Sequence, residues 1–147
     1  MRFYHFLKSA LLSIFAKRTI GVRILLIKEE QVLLVKHTYQ PGWCTIGGGV
    51  ELKETPRSAI LRELNEEVGV SLTTPPELFA VYYSDYEKHD NYVIFYIGRD
   101  HQQTEVTSPE IAEYRWFPMG QLPEDTTPAT KRRIEEYLGK RALSDYW

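Results

Sequence analysis

The chain has 147 residues, 43% of them hydrophobic and 26% charged, the composition of one globular domain large enough for its own core. A net charge of −2 gives no general attraction to nucleic acid, so no nucleic-acid partner is expected. The single cysteine, Cys44, excludes an internal disulfide and suits a reducing, cytoplasmic setting.

Residues 1–18 place Phe3, Phe6, Leu7, Ala10, Leu11, Ile14 and Phe15 on one helical face. The run is too short, and too interrupted by Lys8, to span a bilayer. It also lacks a small-residue cleavage site of the signal-peptide kind. It is expected to be an extra amphipathic helix packed on the domain or on a second subunit, which makes a homodimer conceivable. An interfacial membrane helix is the weaker alternative, because its basic content is thin. A single domain is expected over 19–147.

Residues 19–27 and 31–38 are two β-rich runs around a short turn, and read as a hairpin. In the first run, Ile20, Val22, Ile24 and Leu26 share one face, and Gly21, Arg23, Leu25 and Ile27 the other. Arg23 on an apolar strand is either an edge side chain reaching water or a phosphate contact in a cleft. His37 is expected to be structural. A turn at 39–42 leads to a short strand at 43–46 and then to Gly47, Gly48 and Gly49. No G-K-[ST] follows these glycines, so a P-loop is not supported. Trp43 stands beside them as a possible substrate contact, and Cys44 reads as a small buried hydrophobe.

The stretch 48–70, GGVELKETPRSAILRELNEEVGV, is a loop feeding a helix. Thr55 suits an N-cap, Pro56 the first helical position and Gly69 a left-handed C-cap. Ile60, Leu64 and Val68 form an apolar stripe. Glu63, Glu66 and Glu67 lie three and four residues apart and therefore share another face. Such a run is either a solvated acidic face, partly relieved by Arg62, or a site for a hard divalent cation that takes oxygen ligands.

The spacing of the stretch resembles the Nudix box, G-x5-E-x7-R-E-U-x-E-E-x-G-U with U aliphatic. Gly48, Glu54, Arg62, Glu63, Leu64, Glu66, Glu67, Gly69 and Val70 fill its fixed positions. A chance match is on the order of 10⁻⁷ at ordinary residue frequencies. Many members of that family carry a proline before the glycine pair; here Ile46 stands there. The resemblance implies an α/β (α+β) fold, an α/β/α sandwich with a mixed β-sheet. It also implies a hydrolase that cleaves a nucleoside diphosphate linked to another group X, with Mg²⁺ or Mn²⁺ as cofactor and a small-molecule nucleotide as substrate. Glu63, Glu66 and Glu67 would hold the metal with the Gly47 carbonyl, Glu63 being also the best general-base candidate. Arg62 and Glu54 would pair to hold the carboxylates in place. Arg23, Trp43 and Gly48 are expected to contact substrate. The family also includes nucleotide-binding modules that have lost catalysis, and these would show broken box carboxylates.

Downstream, 77–87 and 91–98 read as a second, aromatic-rich hairpin, and 99–109 as a polar loop. Glu110 is an extra carboxylate for the site or a solvated loop acid, and Asp85 and Glu87 compete for the same role. A strand is expected at 114–117 and a helical turn at 119–122. Thr127 and Pro128 should start a terminal helix by the capping logic of Thr55 and Pro56. Ile134, Tyr137 and Leu138 would be its buried stripe, and Lys131, Arg132 and Arg133 its wet face. Trp147 has no readable role.

Overall fold

The computed structural model describes residues 18–85 and 90–147. The helix expected over 1–18 lies outside them, apart from Arg18, which begins the first strand. In chain order the elements are β1 (Arg18–Lys28), β2 (Gln31–His37), β3 (Trp43–Cys44), β4 (Ile46–Gly49), α1 (Pro56–Val68), β5 (Val70–Leu72), β6 (Glu77–Ser84), β7 (Asp90–Gly98), β8 (His101–Gln103), β9 (Ile111–Pro118) and α2 (Pro128–Tyr137). No helix among the described residues is long and apolar enough to cross a membrane.

The sheet is mixed. Its order runs β3-β2-β1-β7-β6, with β4 pairing β1 and β9 pairing β2; β5 and β8 form a separate pair. Strands β1 and β7 are parallel, while β1–β2 and β6–β7 are the two antiparallel hairpins expected from sequence. The second hairpin's outgoing strand ends at Ser84. One edge of β1 is shared between two partners: β4 pairs positions 21–24 and β2 begins at Ile27. The expected single strand at 43–46 is therefore two. Cys44 pairs with Val35 of β2, whereas Ile46 pairs with Ile24 of β1.

Alternation along β1 and β2 sends side chains to both faces. Val22, Ile24, Leu26, Leu33 and Val35 pack with Ala59, Ile60, Leu64 and Val68 of α1. Leu25, Ile27, Val32 and Leu34 pack on the opposite face with Ile134 of α2, Tyr82 and Phe95. The result is the expected α/β/α sandwich. Ile60, Leu64 and Val68 are fully buried. Each contributes about 1.5–3 kcal/mol relative to exposure, which anchors α1 firmly enough to aim its other face.

The helix caps are as expected. Thr55 Oγ1 accepts from the Ser58 N–H at 3.1 Å, and Gly69 closes α1 at φ 65°. A Cβ on Gly69 would also strike the Thr104 carbonyl, so glycine is needed there twice over. Thr127 caps α2 in the same way, accepting from Thr130 N–H.

Four local expectations are corrected, one being Leu138, which is exposed rather than part of the buried stripe of α2. Residues 119–120 make a turn, not a helix. The polar loop after β7 contains β8, whose residues pair with β5 from Val70↔Gln103 to Leu72↔His101. Arg133 is not on a wet face: it is fully buried. Its Nη2 donates to Glu136 Oε1 at 2.6 Å, and its guanidinium lies 4.0 Å from the Tyr82 ring centroid and 5.1 Å from that of Trp147. Trp147 provides the cover. Its N–H donates to the Tyr83 carbonyl, and its ring packs on Tyr82 and Phe95.

Candidate active site

The hub of the site is Arg62, on the face of α1 opposite its apolar stripe. Its Nε and Nη2 donate to the two carboxylate oxygens of Glu54 at 2.8 and 2.9 Å. Nη2 also donates to the Gly49 carbonyl at 3.1 Å, and Nη1 donates to Glu63 Oε1 at 2.9 Å and to Glu66 Oε2 at 3.4 Å. A planar guanidinium can meet a carboxylate with two parallel bonds, and this fork ties the loop before α1 to the helix face. The Arg62 fork, with the Glu51 N–H, holds the Glu54 carboxyl down to about 2. The same pair raises Arg62 above its ordinary value, Glu54 being the largest cause.

A lowered carboxyl pKa favours the folded state at pH above the unfolded value and loses that contribution as pH falls through the folded one. The Glu54 contribution should therefore be complete above about pH 4.5 and fade toward about pH 2. Urea midpoints measured from pH 5 down to pH 2 should fall more steeply for the natural chain than for Glu54→Gln. Equal slopes would show that the pair does not link folding to protons.

Glu63 and Glu67 are buried, while Glu66 is exposed. Burial first, then the neighbouring Glu67 charge, pushes the Glu63 carboxyl up, against the pull of Arg62. Gly48 lies directly under Glu63: a Cβ there would drive into the Glu63 carboxylate. Glu67 Oε1 sits 3.8 Å from His37 Nε2, while its Oε2 is buried with no hydrogen-bond partner. On the other side of the imidazole, Cys44 Sγ is 3.3 Å from Nδ1. Cys44 first, then Glu67, pushes the His37 pKa up to about 9, against burial.

The glycine strand β4 has the Glu63 carboxylate against Gly48 and also borders a cavity. Gly47 packs so closely against β1 that a Cβ would strike the Val22 carbonyl. Gly48 and Gly49 line an open cavity of about 490 Å³, together with Arg23, Cys44, Thr45 and Trp147. This volume suits a small-molecule ligand. Arg23 is half-buried, and its Nη1 donates to the Thr45 carbonyl at 3.0 Å. Trp43 lies elsewhere, buried in the α2-side core with its ring 4.8 Å from that of Phe117. Glu110 is exposed before β9, and its carbonyl accepts from the Thr38 N–H at 2.9 Å.

Among the described residues, no three carboxylate, imidazole or thiol groups converge as a ready-made metal cluster. Arg62 draws Glu54, Glu63 and Glu66 toward its guanidinium, and His37 faces Glu67. The donor set nonetheless fits a hard divalent cation. It is all carboxylate oxygen, and the orphaned, buried Oε2 of Glu67 is an acceptor that only a cation or a donor would satisfy. Sequence reasoning missed the partnership of His37 with Glu67. The signal was available in the strand period, because His37 follows Leu33 and Val35 on the face that meets α1. Trp147 carried no local signal for its place in the cavity wall.

The NUDIX domain family model matches residues 17–138. A Bacillus subtilis (strain 168) protein provisionally named an 8-oxo-dGTP diphosphatase is 29% identical over 114 residues, which is 78% of this chain and 75% of that protein. An RNA pyrophosphohydrolase of Zymomonas mobilis is 25% identical over 146 residues, covering 84% of this chain and 94% of that one. The crystal structure of a MutT NUDIX hydrolase from Burkholderia pseudomallei superposes with a TM-score of 0.71 at 23% identity, covering 81% of this chain and 97% of that one, and so shares the fold. The chain belongs to the NUDIX family, hydrolases that act on pyrophosphate bonds.

Proposed function

We propose that the chain is a Mg²⁺- or Mn²⁺-dependent hydrolase that cleaves the pyrophosphate of a nucleoside diphosphate linked to X. The class includes ADP-ribose, nucleotide sugars, dinucleoside polyphosphates and nucleoside triphosphates. The observation that carries this reading is the placement of β4: the Glu63 carboxylate lies against Gly48, and Gly48 and Gly49 line a cavity of about 490 Å³. The relatives' names, one provisionally an 8-oxo-dGTP diphosphatase and one an RNA pyrophosphohydrolase, support cleavage of a pyrophosphate bond.

Glu63, Glu66 and Glu67 would hold the ion, with the Gly47 carbonyl. When bound, such an ion neutralises the pyrophosphate and lowers the pKa of water for in-line attack. Glu63 would take the proton of the attacking water, and its burial, which raises its carboxyl pKa, supports that role. Arg62 and Glu54 act through Glu63 by fixing its orientation. Arg23 already spends one N–H on Thr45, and its remaining donors can meet a phosphate oxygen in the cavity. Gly48 lets the substrate approach the carboxylates without a side chain between them. Glu110, exposed beside the loop after β2, is a further acid that could join the site.

The test is metal removal. Nucleoside monophosphate release from a panel of nucleoside diphosphate–X compounds should vanish in excess EDTA and return on adding Mg²⁺ or Mn²⁺. Undiminished turnover in EDTA would end the metal-dependent reading.

A further inference from the structure

We propose that His37 is a positioning residue: it holds Oε1 of Glu67 and thereby leaves Oε2 as the oxygen offered to a divalent cation. This rests on the assignment of Glu67 as a metal ligand made above.

The geometry is that of a fixed donor facing one half of a carboxylate. The side chains of His37 and Glu67 are 1% and 4% exposed, so neither can exchange its partner for bulk water. Nε2 of His37 faces Oε1 at 3.8 Å. The ring cannot turn freely. Cys44 Sγ stands 3.3 Å from Nδ1, and the Tyr39 ring lies over the imidazole at 5.0 Å between centroids. Cys44 is itself placed by Val35, whose carbonyl lies 3.7 Å from Sγ. Gln40 Nε2, a donor-only amide nitrogen, lies 3.5 Å from Nδ1, which favours Nδ1 as an acceptor and the ring proton on Nε2, directed toward Glu67.

Oε2 of Glu67 is buried and has no hydrogen-bond partner among the described residues. A buried acceptor left unmade is costly, so the carboxylate has one oxygen facing an imidazole at ion-pair distance and the other open to a cation. Imidazole and thiol do not themselves chelate here, because Cys44 and Glu67 lie against opposite nitrogens of the ring. His37 acts from behind the carboxylate. Groups that hydrogen-bond a metal ligand from behind set its orientation, and their loss commonly weakens metal binding about 10- to 100-fold.

The experiment is Mn²⁺ binding to the metal-free full chain, read from the electron paramagnetic resonance signal of free Mn²⁺. The chains compared are the natural protein, His37→Ala, His37→Gln, Glu67→Gln and the double variant His37→Ala/Glu67→Gln. His37→Ala should weaken Mn²⁺ binding about 10- to 100-fold. His37→Gln keeps an N–H donor and should recover much of the loss. In the Glu67→Gln background, His37→Ala should change binding by less than about twofold, because the partner through which it acts is gone. Should His37→Ala fail to fold, His37→Leu fills the space without a donor and carries the same expectation. Natural-strength binding in the donorless variant, or an equal loss in both backgrounds, overturns the positioning role alone. No Mn²⁺ binding by the natural chain overturns the metal-ligand assignment and this role with it.

Discussion

Glu67→Gln is expected to lower kcat by at least about a hundredfold at saturating Mg²⁺, since even outer-shell partners of a metal ligand are worth 10- to 100-fold. The substitution preserves shape, so it leaves the packing of α1 on the sheet intact. The stripe of Ile60, Leu64 and Val68, not Glu67, anchors that helix. The melting temperature should therefore stay within a few degrees of the natural chain. A steady-state assay beside a thermal melt separates the two effects. Near-normal turnover at an unchanged melting temperature would remove Glu67 from the proposed metal site.

The largest stability effect is expected far from the carboxylates. Arg133→Met removes the cation that faces Glu136, and both side chains are fully buried. Breaking a buried pair from one side typically costs about 3–5 kcal/mol, because it strands the remaining charge. For a chain near 150 residues, about 2–4 °C per kcal/mol makes this a drop on the order of 10 °C in melting temperature. Tyr82 reports on the same cluster: its hydroxyl donates to Glu136 Oε2 at 2.6 Å, and burial and that bond together raise its pKa. The double variant Arg133→Met/Glu136→Gln should recover most of the loss. Glutamine can still accept from Tyr82 while leaving no charge unpaired. Equal melting temperatures for single and double variants would show that the stranded charge is not the cause.

The parts of the fold that were legible depend on local rules. The α1 boundaries follow from Thr55, Pro56 and Gly69, each acting within a few residues of itself. The two faces of β1 follow from alternation, since Val22, Ile24 and Leu26 meet α1 while Leu25 and Ile27 meet α2. The failures are non-local. Nothing near Thr45 says that Cys44 will pair with β2 and Ile46 with β1. β8 is a polar triplet, His101 to Gln103, and exists as a strand because β5 pairs with it. Arg133 belongs to a basic run that reads as solvated, and only the cover of Trp147 and the carboxylate of Glu136 make it a core residue.

The candidate site shows the same division. The box spacing puts Arg62, Glu63, Glu66 and Glu67 on α1 and Glu54 in the loop before it; the Arg62 fork joins Glu54, Glu63 and Glu66, while Glu67 faces His37. Arg23 lines the cavity. Trp43 stands beside the glycines in the chain, but its side chain points into the core against Phe117. A strand carries adjacent residues to opposite faces, so sequence proximity to a site does not place a side chain in it. The orphaned oxygen of Glu67 was invisible in sequence, because it depends on a histidine thirty residues away in the chain.

The most direct measurement is ³¹P NMR of one nucleoside diphosphate–X turnover with Mg²⁺ in H₂¹⁸O, run in parallel on the natural chain and on Glu67→Gln. The account predicts cleavage of one phosphoanhydride bond with ¹⁸O on one of the two phosphorus atoms it joined, giving two phosphomonoester signals from ADP-ribose or a nucleotide sugar and a nucleoside monophosphate with pyrophosphate from a triphosphate, and no reaction over the same time with the variant. Unchanged spectra and no ¹⁸O incorporation across the whole substrate panel, or equal cleavage by both chains, would contradict it.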